Sequence, residues 1–117
     1  MLFYWDMTKV RHAYSKTVSY AAELLGAEIR EARLQRRWSV RELAERAGVS
    51  TGTLQKVEYG NPSVSLGTAF DVAALVGVPL FYSDRERLAD EALRARRRPV
   101  LLPSAVRKRA RDLDNAF

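Results

Sequence analysis

The chain has 117 residues, 47% of them hydrophobic, with 20 Lys and Arg against 14 Asp and Glu and no cysteine. That length supplies one compact core plus tails, and the lack of cysteine excludes a disulfide scaffold, a thiolate zinc site and a cysteine nucleophile, as fits a reducing compartment. The formal charge of +6 favours a polyanionic partner, nucleic acid or an anionic membrane surface, without choosing between them.

The opening residues Leu2, Phe3, Tyr4 and Trp5 are broken by Asp6, and no apolar stretch of signal-peptide length follows. For this aromatic cluster two readings stand side by side, a terminus without fixed structure and a dimer contact. The longest apolar run, Thr68 to Phe81, contains Asp71 and Pro79 and falls short of the roughly 20 residues that span a bilayer. A soluble, cytoplasmic protein without membrane association is expected.

From Val18 to Arg37, Leu25, Ile29 and Ala32 recur at i, i+4 and i+7 between charged residues, the pattern of an amphipathic helix. Gly26 costs its early part about 1 kcal/mol relative to alanine, so the helix starts either at Val18 or at Gly26. The next start is sharper. Ser39 and Glu42 have the spacing of a capping box, and Trp38 and Leu43 that of a hydrophobic staple, which predicts a helix from Val40 with Leu43, Ala44 and Ala47 inward and a stop at Gly48. Val49 is the apolar residue of the turn, and Ser50 is a second N-cap, for a helix from Thr51 to about Tyr59 closed by Gly60. Leu54 and Val57 point inward there, leaving Thr51, Gly52, Gln55 and Lys56 on the outward side.

Asn61 to Ser65 read as a polar loop, after which Leu66, Phe70, Ala73 and Val76 repeat at helical spacing up to Gly77. Pro79 suits the first turn of a short element with Leu80 and Phe81 inward. Ser83 and Glu86 have capping-box spacing for a helix carrying Leu88, Ala92 and Leu93 as far as Arg97. Val100, Leu101 and Leu102, between Pro99 and Pro103, read as an extended, edge-strand segment. A basic stretch, Arg107 to Arg111, precedes the ending Asp112 to Phe117. The run Arg94 to Arg98 is either a solvated helix face or a contact to DNA or a partner.

No catalytic set can be assembled: His12 is the only histidine and has no partnering pattern, so neither an enzyme nor a metal or other cofactor is expected. Ser39, Ser50, Ser63, Ser65 and Ser83 are explained by caps and turns, and Gly60 to Gly67 lacks the lysine and spacing of a phosphate loop.

The segment Trp38 to Gly60, WSVRELAERAGVSTGTLQKVEYG, resembles the helix-turn-helix of the Xre family, to which phage Cro and lambda-type repressors belong. The likeness extends over about Val18 to Tyr82 through Leu25-Gly26-Ala27-Glu28-Ile29-Arg30 and the segment Pro62 to Val78. It implies an all-α, five-helix, lambda-repressor-like DNA-binding domain over residues 18–82. An N-terminal extension would occupy residues 1–17, and a C-terminal helix with a basic tail, for dimerisation or partner binding, residues 83–117. A helix has the diameter to enter the major groove of B-DNA while its companion crosses the backbone. By resemblance, Thr51, Gly52, Gln55 and Lys56 contact bases, and Arg41, Ser50, Thr53, Ser63 and Ser65 contact phosphates. Gly52 offers no side chain for readout and suits a close backbone approach. Val40 stands where the family often has a phosphate-binding glutamine, a contact that is either missing here or taken over by Arg41. Arg33 and Glu58 match an arginine and a glutamate that pair in related domains, implying a largely buried bidentate ion pair. Between Ser39 and Gly60 three bases meet three acids, so the positive field must come from Arg30, Arg36, Arg37 and the basic residues from Arg85 onward.

One recognition helix covers few base pairs, so a homodimer on a palindromic operator of double-stranded DNA, acting as a transcriptional repressor, is expected. Leu25-Gly26-x-x-Ile29-Arg30-x-x-Arg33, Glu58-x-Gly60, Pro62 to Thr68 and the ending Asp-Leu-Asp-Asn-Ala-Phe are similar to HipB-type antitoxins. That likeness implies autorepression, a HipA-like kinase toxin as partner, and Val100 to Leu102 as a dimer strand. The contrasting reading is a protein-interaction module, antitoxin or adaptor, whose neutral motif binds DNA weakly or not at all.

Overall fold

The computed structural model describes residues 13–101. Among them are five helices and no strand: α1 (Lys16–Gln35), α2 (Val40–Ala47), α3 (Thr51–Tyr59), α4 (Leu66–Leu75) and α5 (Arg85–Leu101). The aromatic cluster at residues 2–5, Leu102 and the basic tail lie outside the described residues. The chain divides after Val78 into two compact units, the first holding α1 to α4 and the second α5. No described helix is long and apolar enough to cross a membrane.

Each of the first four helices starts on a serine. Ser15, Ser39, Ser50 and Ser65 accept the backbone N–H three residues on, at 3.3, 3.0, 3.0 and 3.3 Å, each satisfying a donor that the helix itself leaves open. Ser39 has the reciprocal bond as well, its own N–H donating to Glu42 Oε1 at 2.8 Å, which completes the box expected from the spacing. The cap on Ser15 settles the start of α1 at Lys16, before Val18 and Gly26.

The four helices also end alike. At each end a residue with positive φ follows (Arg37, Gly48, Gly60 and Gly77, at 59, 70, 87 and 82°), and the next N–H reaches back five residues: Trp38 to Arg33, Val49 to Ala44, Asn61 to Lys56 and Val78 to Ala73, at 2.9–3.1 Å. This is the Schellman closure. Arg37 performs it without glycine, and so α1 is helical only to Gln35 rather than to Arg37.

Ile29, Leu43, Leu54, Val72 and Val76 are the largest fully buried side chains, with Ala44, Val57, Ala73 and Val78 around them. All but Val76 and Val78, which follow the end of α4, are inward positions of α1 to α4, and α3 is the element on which both α1 and α2 pack. Leu66, at helical spacing from Phe70, Ala73 and Val76, is 68% exposed. It stands in the first turn of α4, on the rim of an apolar groove shared with Val18, Ala22, Pro62 and Phe70.

In the second unit three expectations are corrected. Phe81 does not point inward; it is 79% exposed at the apex of a three-residue turn, with φ +71° and the Tyr82 N–H on the Leu80 carbonyl at 2.8 Å, the geometry of a γ-turn. The cap of α5 is Asp84 and not Ser83, because the Asp84 carboxylate takes the Glu86 N–H at 2.9 Å from the position next to the helix start. Val100 and Leu101 are helical, not extended, since α5 continues through Pro99. The run of Leu, Ala, Glu and Arg before that proline has high helix propensity, and proline removes one backbone bond without dictating a strand.

Candidate nucleic-acid interface

The turn Gly48-Val49-Ser50 sets α2 and α3 against each other, with Leu43, Ala44, Leu54 and Val57 buried at the crossing. On the other side of α3, Thr51, Gly52, Gln55 and Lys56 are all exposed, a continuous polar strip on one helix face. Tyr59, one turn beyond Gln55, is 89% exposed and lengthens the strip. The sequence reading passed over it because it stands at the helix end. Arg30 of α1 borders the same surface hollow as Val40, Gln55 and Tyr59, which brings a cation beside the C-terminal half of α3.

The support beneath this strip is an ion pair. Arg33 Nε donates to Glu58 Oε2 at 2.7 Å and Arg33 Nη2 to Glu58 Oε1 at 3.0 Å, with each side chain 8% exposed. Arg33 Nη1 donates to the Trp38 carbonyl at 2.9 Å. One guanidinium thus ties α1 to α3 and to the entry of α2, in the bidentate geometry that suits arginine and carboxylate. The hydrogen bonds that Arg33 donates to Glu58, reinforced by the carboxylate's charge, outweigh burial and hold Arg33 above its ordinary pKa.

Close approach of α1 to α3 makes the pair possible. A Cβ at Gly26 would overlap the carbonyl oxygens of Val57 and Glu58, and one at Gly60 would stand 2.7 Å from the Glu23 Cα. Gly26 weakens its own helix, and contact with α3 is what requires it. That requirement depends on the packing of two distant segments, so helical spacing alone does not reveal it. Gly52 is the opposite case: a Cβ there meets only Ser50 Oγ, at 3.8 Å.

The expected phosphate-contacting residues differ in how free they are. Arg41 is exposed, with Glu45 at 4.0 Å as a distant neighbour. The hydroxyls of Ser50, Ser63 and Ser65 donate internally, to Thr53 Oγ1 at 3.0 Å, Asn61 Oδ1 at 2.6 Å and Thr68 Oγ1 at 2.8 Å, and must turn to donate to an anion. Thr53 is half-buried against Ser50. Arg46 covers the Trp38 ring at 4.3 Å, with Arg36 at 5.7 Å, a cation–π contact that engages two of the domain's cations. Glu42 accepts the Ser39 N–H, which holds its carboxyl below the usual range. Among the described residues no cluster of three or more metal-ligating side chains occurs.

A helix-turn-helix family profile matches residues 29–83. The chain is 32% identical over 75 residues, 62% of its own length and 69% of the relative's, to an uncharacterized transcriptional regulator in the ATPase CF(0) region of Rhodospirillum rubrum. No solved structure matches it significantly. With its serine-capped α2, glycine-closed turn and outward-facing α3 in an all-α, lambda-repressor-like arrangement, the chain belongs to the helix-turn-helix family.

Proposed function

We propose that the protein is a sequence-specific, double-stranded-DNA-binding repressor that acts in the cytoplasm as a homodimer on a palindromic operator. The observation that carries this reading is the exposed strip Thr51, Gly52, Gln55 and Lys56 on a short helix whose inner side is pinned by the Arg33–Glu58 pair. A pinned helix keeps its register against base edges, and that register is what sequence readout demands. Lys56 donates to guanine O6 and N7, the Thr51 methyl packs on a thymine methyl, and Gly52 lets the backbone come near the bases. Gln55 reaches base edges from the next turn. Arg41 anchors the phosphates, aided by Ser50, Thr53, Ser63 and Ser65.

The experiment is a titration of the protein against DNA from upstream of its own gene, with scrambled DNA as control, at several salt concentrations. Tight binding to the upstream fragment that weakens steeply with salt supports the reading; equal, weak binding to both fragments refutes it. Lys56→Ala is expected to relax sequence preference, and Arg41→Ala to weaken all sequences alike.

The finer assignment is an autoregulating, HipB-type antitoxin paired with a HipA-like kinase, supported by the likeness of Leu25 to Arg33, Glu58-x-Gly60 and Pro62 to Thr68. Co-purification with the product of the adjacent gene tests it. The internal bonds of Ser50, Ser63 and Ser65 and the neutral motif favour a second reading, a protein-interaction module with little DNA affinity. Failure of the upstream titration together with stable capture of that gene product would select it.

A further inference from the structure

Among the described side chains of helix α5 none is fully buried, yet the helix is amphipathic. Leu88, Ala92 and Ala95 recur at i, i+4 and i+7 along a hollow of about 420 Å³ edged by Phe81, Tyr82, Glu91 and Arg98. Leu88 is half-buried, while Ala92 and Ala95 are open to solvent. A helix with such a stripe gains by covering it, and two alanines at the centre of the stripe let another helix come close.

The charges along α5 say which helix. Asp84, Glu86, Asp90 and Glu91 stand with two arginines in residues 84–91, whereas Arg94, Arg96, Arg97 and Arg98 follow with no acid among them. Among the described residues of the helix, Glu91 and Arg94 form the one ion pair, at 3.6 Å. Glu91 and Arg98 lie seven residues apart on the same rim of the hollow. A second α5 running antiparallel puts its arginine-rich half beside the acidic half of the first. A two-fold axis near the alanines then sets Glu91 of each copy against Arg98 of the other, so the contact is made twice. A parallel arrangement sets like charges together.

We propose that α5 is a homodimerisation helix that pairs antiparallel with α5 of a second copy, Ala92 against Ala95 across the axis and Glu91 against Arg98 on the rim. Its purpose, holding two recognition helices to one palindrome, rests on the regulator reading; the pairing itself does not.

Charge reversal in the full-length protein tests it, by sedimentation equilibrium and native mass spectrometry, with circular dichroism to verify helix content. The parent is expected to be dimeric, more weakly so at high salt. Glu91→Arg and Arg98→Glu are each expected to raise the dimer dissociation constant tenfold or more. An equimolar mixture of the two forms heterodimers, and the double variant Glu91→Arg/Arg98→Glu pairs with itself again. A monomeric parent, single variants as dimeric as the parent, or a mixture no better paired than its components would each overturn the proposal. So would an Arg98→Glu variant that loses DNA affinity with its dimerisation intact, because the arginines would then serve nucleic acid. Dimers that pass the reversal test and ignore upstream DNA count against the regulator reading alone, and upstream-DNA binding that survives a failed reversal test counts against this pairing alone.

Discussion

Replacing Glu58 by alanine removes the carboxylate that accepts two bonds from Arg33, at 2.7 and 3.0 Å, in a setting where each side chain is 8% exposed. The guanidinium left behind cannot shed its charge, since arginine stays protonated at any pH a protein survives, and it keeps only the Trp38 carbonyl at 2.9 Å. Breaking a buried pair from one side costs about 3 to 5 kcal/mol, and the retained carbonyl bond places this case near 3. Because native domains are stable by only about 5–15 kcal/mol, that is a large share of the total. For a domain of 60 to 100 residues it lowers Tm by about 12–24 °C. Thermal and urea melts of Glu58→Ala measure the loss. The double variant Arg33→Met/Glu58→Leu is expected to lose less than Glu58→Ala, because it buries no orphaned charge. A single variant within about 1 kcal/mol of the parent, or a double variant worse than the single, would refute the reasoning that the pair locks α3 in place.

Three further outcomes follow from local geometry. Gly26→Ala gains about 1 kcal/mol of helix propensity and is nevertheless expected to destabilise by about 1–3 kcal/mol, the cost of overpacking, because backbone carbonyls of α3 occupy the space of the new methyl group; chemical denaturation decides it. Gly52→Ala has room for its methyl group and is expected to stabilise by about 0.4–1 kcal/mol. It should at the same time weaken binding to the upstream DNA while leaving binding to scrambled DNA unchanged, as a titration of both fragments reads. Glu42 is held below its ordinary pKa by the Ser39 N–H, so its contribution is full above the unfolded value of about 4.3 and is lost as pH falls through the lower folded value. The gap in Tm between the parent and Glu42→Gln is therefore expected at pH 7 and to close on acidification toward pH 3; a constant gap contradicts the assignment.

Much of the fold was legible because its signals are local. Serine caps, the Ser39–Glu42 box and the glycine stops at residues 48, 60 and 77 act within one helical turn, and they place α2, α3 and α4 within a residue or two. Where the local cue was missing or equivocal, the boundary moved. Arg37 takes a left-handed conformation that glycine normally announces, and Pro99 permits a helix where it suggested a break. The outward strip of α3 follows from helical spacing, and so was readable. The Arg33–Glu58 pair spans 25 residues and was reached only through family resemblance, since no periodicity links its members. What stayed hidden depends on tertiary arrangement: the steric demand on Gly26, Arg46 over Trp38, and Arg30 beside Gln55 and Tyr59.

The central claim, that the outer face of α3 reads base sequence, is tested most directly by comparing parent and Lys56→Ala for binding to the upstream DNA fragment and to single-base variants of it. Loss of a good base contact is worth about 1–3 kcal/mol of discrimination, so the variant is expected to bind the parent sequence about 5- to 150-fold more weakly and to stop distinguishing substitutions at one symmetric position. An unchanged preference profile for Lys56→Ala, with affinity intact, would contradict it.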